Sequence, residues 1–160
     1  MTRLRAALTA TVLTASALAG GLGVASAAPE RPGGADGSLT AAGETCRFGG
    51  ARTSGRPPSA LTLDAASVNR TIRCSGGARV RLDRSPRFLF HDGSGRATVR
   101  NVRVSVTAMG VTCTYATPRL TAGRQGGSRT YVARGVRVGN VGGGFVCPGS
   151  ATADVRFSFR

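Results

Sequence analysis

The sequence predicts an all-β fold, either an Ig-like antiparallel β-sandwich or a partly closed barrel, and three observations predict it. From Thr45 onward apolar and polar residues alternate with period two, and helical spacing is hard to find. Turn-forming clusters such as Ser75-Gly76-Gly77, Asp92-Gly93-Ser94-Gly95, Gly139-Asn140 and Pro148-Gly149-Ser150 cut this alternation into about eight or nine short runs. Four cysteines, Cys46, Cys74, Cys113 and Cys147, form an even set, which in an oxidising compartment means two disulfides.

Residues 1–27 read as a cleavable secretory signal. Arg3 and Arg5 make a basic start, residues 6–19 are uncharged, and Ala25-Ser26-Ala27 is a small-x-small cleavage site. The apolar run is about 14 residues, against the roughly 20 that a spanning helix needs. The C-terminal residues 155–160 carry no apolar tail. The expectation is therefore a secreted, extracellular chain beginning at Ala28, with no membrane contact after cleavage. Residues 28–44 hold few large apolar side chains and read as a flexible lead-in, which leaves 45–160 as the β domain.

Within that domain the clearest strand is the last, where Ala151, Ala153, Val155, Phe157 and Phe159 alternate with polar residues. Val102, Val104 and Val106 do the same, out of phase with Ala97 and Val99, so a β-bulge is expected near Arg100-Asn101. Ala78, Val80 and Leu82 alternate with Arg79 and Arg81. Further strands are expected over 45–48, 68–74, 87–90, 111–116, 130–138 and 144–147. A flat sheet could not bury Phe48, Phe88, Phe90, Tyr115, Tyr131, Phe145, Phe157 and Phe159 together.

A faint repeat relates Thr45-Cys46-Arg47-Phe48 to Thr112-Cys113-Thr114-Tyr115, and Cys74-Ser75-Gly76-Gly77-Ala78 to Cys147-Pro148-Gly149-Ser150-Ala151. Four cysteines allow three pairings. The repeat and sequence proximity favour Cys46–Cys74 with Cys113–Cys147. Spacings of 28, 39 and 34 residues hold no Cys-x-x-Cys, which argues against a zinc site. The segments Gly110-Val111-Thr112-Cys113-Thr114-Tyr115 and Gly144-Phe145-Val146-Cys147-Pro148 resemble a pattern in small secreted four-cysteine all-β proteins of actinobacteria. That resemblance spans about the last 50 residues and implies a β fold and export; it lends no activity or site.

Every basic residue is arginine. Without Arg3 and Arg5, 20 of the 22 remain against 7 acids, a net charge of +13. Guanidinium groups stay charged and grip phosphate or carboxylate in a bidentate fork. Arg79, Arg81 and Arg103, with Arg73, Arg137 and Arg156, fall opposite apolar neighbours and should face outward. Arg52, Arg56, Arg119, Arg124 and Arg129 fall in loop-like stretches. Arg79, Arg81 and Arg103 are the candidate contact for a polyanion such as an anionic cell-wall polymer, set against a merely solvated positive surface. With no Trp and two Tyr, stacking platforms for specific nucleic-acid reading are few.

No catalytic residue, cofactor or metal site is nominated. His91, Asp92 and Ser94 could be imagined as a hydrolase triad, but neighbours in one tight loop rarely reach that geometry. Asp-Gly between two strand patterns reads as a hairpin tip instead. The acids show no calcium-loop spacing, and Asp154 reads as an ordinary surface charge. The expected function is a secreted, non-catalytic extracellular or wall-associated domain. The alternatives are a small secreted hydrolase or a protease inhibitor.

Overall fold

The computed structural model describes residues 32–160; the expected signal segment 1–27 lies outside the described residues. In chain order the elements are β1 (Gly33–Ala41), β2 (Glu44–Thr53), β3 (Leu61–Thr62), α1 (Ala65–Thr71), β4 (Arg73–Cys74) and β5 (Arg79–Leu82). After them come β6 (Arg87–His91), β7 (Arg96–Ala108), β8 (Val111–Arg124), β9 (Thr130–Gly142) and β10 (Ser150–Phe159). The fold is all-β, as the alternation predicts. One antiparallel sheet runs β3-β6-β7-β8-β9-β10-β1-β2-β4, with β5 on the far half of β7. It is not a closed barrel. The two ends of the path touch where Thr53 bridges Leu63, flanked by bonds from Ser54 N to Thr62 O (3.0 Å) and Asp64 N to Arg52 O (2.9 Å).

Phe88 on β6 meets Phe157 and Phe159 on β10 edge to face, with ring centroids 4.9 and 5.2 Å apart. Those strands are separated by β7, β8 and β9 in the sheet, so the sheet curls until its inner faces pack. The packed core lies at this end. Phe88, Leu61, Leu63, Val99 and Tyr131 are buried there beside Ala35, Ala51, Ala97 and Ala122. Burial pushes the Tyr131 phenol up, against the opposing pull of Arg124.

Four expectations need correction. The described part of the expected lead-in 28–44 is largely strand: β1 lies between β2 and β10. Its small residues reflect close approach, because a Cβ on Gly37 would sit 2.5 Å from the Phe48 ring and one on Gly33 2.5 Å from Gly55 O. Residues 68–74 are not one strand but the end of α1 followed by β4. Asp64 caps that helix by accepting from Ala66 N and Ser67 N, a local bond that outweighs the β-branched residues after it. Residues 144–147 are a loop, with Gly143 and Gly144 both at positive φ, and Phe145 is fully exposed instead of joining the aromatic core. At Arg100-Asn101 the register against β8 does not shift. Asn101 instead takes a left-handed backbone (φ 61°) opposite Pro118, and both strands invert their inward face there.

Candidate functional site: an apolar slot open at one end

Beyond the packed end the inner face changes character. On β7 the buried Ala97 and Val99 give way, past Asn101, to half-buried Val102, Val104 and Val106. On β9 the buried Tyr131 and Ala133 give way to half-buried Val136 and Val138. On β2 the inversion falls between buried Ala51 and half-buried Phe48.

Two of these changes use one device. Against β1, Gly49-Gly50 of β2 oppose the single residue Asp36, and against β10, Arg134-Gly135 of β9 oppose Asp154. Each bulge places its glycine at positive φ, 65° at Gly50 and 62° at Gly135. In each, the glycine N–H donates to the aspartate Oδ1, at 2.8 Å to Asp36 and 2.7 Å to Asp154. Asp154 is thus a structural acceptor, which its place on the wet face of a strand did not reveal. In the sequence the two aspartates share only a preceding alanine (Ala35-Asp36, Ala153-Asp154); that each faces a glycine-containing pair emerges from the strand register.

The valines beyond the bulges stay half-buried because they face a slot of about 850 Å³ instead of one another. Val80 and Leu82 of β5 with Val104 and Val106 of β7 line one wall; Val138, Ala151, Val155 and Leu39 line the other. Val68 of α1 and Ile72, just past its end, close one side, and Val99, Leu120 and Phe157 form the floor. Glu44, Ser38, Ser150 and Thr152 are the few polar residues on the lining. Glu44 is engaged, accepting from Gly76 N at 2.9 Å and from Ser75 Oγ.

The slot opens where the β1–β2 turn, the β7–β8 turn and the β9–β10 loop gather, with Ala42, Met109 and Pro148 at its lip. Both disulfides brace this end. Cys46–Cys74 ties β2 to β4, and Cys113–Cys147 ties β8 to the β9–β10 loop, the pairing expected from the sequence.

Arg79, Arg81 and Arg103 come together on the outer face of β5 and β7, where Arg79 pairs with Thr107 and Arg81 with Ser105. Arg103 is engaged by Asp83, at 3.7 Å, and Ser105 bonds the same carboxylate. Arg79 and Arg81 form no ion pair among the described residues. Of the arginines read as loop residues, Arg52 lies in β2 and Arg119 and Arg124 in β8, while Arg56 and Arg129 are in loops.

The hairpin tip at Asp92–Ser94 forms as expected, a 3-10 turn closed by Gly95 at φ 60°. Its residues do not assemble a triad. The Ser94 hydroxyl donates to the His91 carbonyl, the His91 ring reaches Thr98 Oγ1, and Asp92 lies 3.8 Å from Arg124. Among the described residues no group of three His, Cys, Asp or Glu could hold a metal ion, and no helix is long and apolar enough to cross a membrane. No family model, curated protein or solved structure matches this chain.

Proposed function

We propose that this is an exported, non-catalytic extracellular binding domain whose slot takes the apolar body of a small amphiphile. The observation that carries the reading is the 850 Å³ slot walled by half-buried valines, a volume within the about 300–1,000 Å³ typical of ligand sites. An empty apolar slot forfeits dispersion contacts along its walls. Water gains little there, since it needs two to four polar partners. A hydrocarbon chain satisfies the same walls at roughly 0.8 kcal/mol per buried methylene. Among the described residues no cationic side chain lines the slot, so a polar head would stay at the mouth.

The test is titration of the secreted chain with a fluorescent fatty acid, alongside mass spectrometry of solvent extracts. Val104→Trp and Val136→Trp should fill the slot and abolish binding while the fold persists by circular dichroism. Unchanged binding in both variants would refute the reading.

A second reading is contact with anionic wall polymers through the outer face of β5 and β7. The observation favouring it is the exposed pair Arg79 and Arg81, side by side with Arg103 and without an acid of their own among the described residues.

A further inference from the structure

All five large hydrophobic side chains exposed among the described residues lie at the mouth of the slot. Met109 and Phe145 are fully exposed, and Val111, Val141 and Val146 are about half exposed. Met109 and Val111 flank the tip of the β7–β8 hairpin, while Val141, Phe145 and Val146 belong to the end of β9 and the loop after it. Isolated exposed apolar residues are ordinary, but a gathered set marks an interaction surface.

The two tips are held beside each other. The Cys113–Cys147 disulfide joins them, and a Cβ on Gly143 would lie 2.5 Å from Thr112 O. The loop itself is fastened to β9, since Asn140 Nδ2 donates to Pro148 O and Asn140 N to Gly149 O. Phe145 is therefore presented outward by a braced loop. Its exposure is built in.

Charge identifies what the tips meet. Arg79 is paired with Thr107, two residues from Met109, and Arg137 reaches Ser150 Oγ at the start of β10. Arg73 and Arg47 stand opposite each other one step behind the Cys46–Cys74 bridge. All four guanidinium groups are exposed. The acid at these tips, Glu44, is occupied by the Gly76 amide and Ser75. An apolar tip ringed by arginines matches an anionic bilayer, with rings and thioethers in the acyl region and guanidinium groups at the phosphates.

We propose that the mouth end docks onto an anionic phospholipid surface, with Met109, Phe145 and Val146 entering the lipid and Arg79 and Arg137 at the headgroups. The docking goes beyond the slot reading and holds whether or not the slot takes a ligand. The sequence expectation of no membrane contact followed from the lack of an anchor; these tips are peripheral and become apparent only when the loops are brought together.

Vesicle flotation tests this, using phosphatidylcholine alone and phosphatidylcholine mixed with phosphatidylglycerol. The mature chain should float with the mixed vesicles and far less with phosphatidylcholine. The double variant Met109→Ser/Phe145→Ser should lower partition by about tenfold or more with its melting temperature unchanged, because both side chains already face solvent. Arg79→Glu/Arg137→Glu should abolish the preference for the mixed vesicles. Equal flotation of the serine variant overturns the proposal, and so does equal binding to both vesicle types. Analytical ultracentrifugation closes the remaining alternative. A wild-type dimer that the serine variant converts to monomer would mean a second copy covers the patch, and the lipid proposal would fall.

Discussion

Asp154 accepts a 2.7 Å hydrogen bond from the Gly135 amide across the β9–β10 bulge, and Asp36 stands in the same relation to Gly50 across the β1–β2 bulge. Each bond satisfies the amide that the extra residue removes from the ladder. By holding the bulge, it also fixes where the inner face passes from packed core to slot. Asp154→Ala should therefore lower stability by about 1–2 kcal/mol, measurable by urea denaturation. Gly135→Val should cost at least as much, because a β-branched residue at φ 62° is strained. If both substitutions are neutral, the bulge does not depend on this bond.

Helix α1 is hydrogen-bonded to β5 by the amide side chain of Asn69. Asn69 Nδ2 donates to Leu82 O at 2.9 Å, and Leu82 N donates to Asn69 Oδ1 at 2.7 Å, so the side chain imitates a neighbouring strand. Asn69→Ala should expose that edge and cost about 1–3 kcal/mol. The readout is urea denaturation together with faster amide exchange at Leu82.

Acid should loosen the helix start. The Arg52 guanidinium, 3.0 Å away, chiefly holds the Asp64 carboxyl below its usual range, against opposing desolvation. A lowered folded value stabilises fully above the unfolded value of about 3.9 and loses that contribution as pH falls through the folded one. Arg52 is largely exposed, so the effect should stay under about 1 kcal/mol. Asp64→Asn keeps a capping side chain but loses the charge. Melts from about pH 5 down to about pH 2 should show its deficit against wild type shrinking toward zero.

Much of this fold was legible because period-two alternation and turn chemistry are local. Val102 to Val106 and Ala151 to Phe159 show their inward faces in the sequence itself. What was not legible depends on partners distant in the chain. Gly33 and Gly37 look like a linker until Gly55 and Phe48 are brought against them. Phe145 looks like core until the disulfide pins its loop outward. The slot was hidden for a related reason, since alternation tells which way a valine points but not whether anything opposes it.

The disulfides should weigh most on the mouth. They close separations of 28 and 34 residues, worth roughly 3–4 kcal/mol each on the chain-entropy account. Non-reducing peptide mapping should recover Cys46–Cys74 and Cys113–Cys147; a Cys46–Cys113 link would contradict the structure. Cys113→Ser/Cys147→Ser should raise amide exchange over residues 143–149 while the aromatic end keeps its protection.

Polyanion retention should depend on which arginines carry the charge. Arg79, Arg81 and Arg103 share the outer face of β5 and β7, whereas Arg56, Arg84 and Arg129 are scattered over separate loops. Any chain with an excess of 15 positive charges will adhere to a negative resin, so retention alone decides nothing. Counterion release makes such binding fall steeply with salt, and its slope counts the phosphates neutralised together. Reversing the three face arginines to glutamate should flatten the salt slope on a teichoic-acid matrix more than reversing the three loop arginines. Within the face triple, Arg103→Glu alone should matter least for the polymer, because Asp83 already offsets that charge. It should instead lower stability, by setting two carboxylates against each other beside Ser105. If the two triples lose retention equally, the outer face is a solvated surface, and the polymer reading fails while the slot and lipid proposals stand on their own tests.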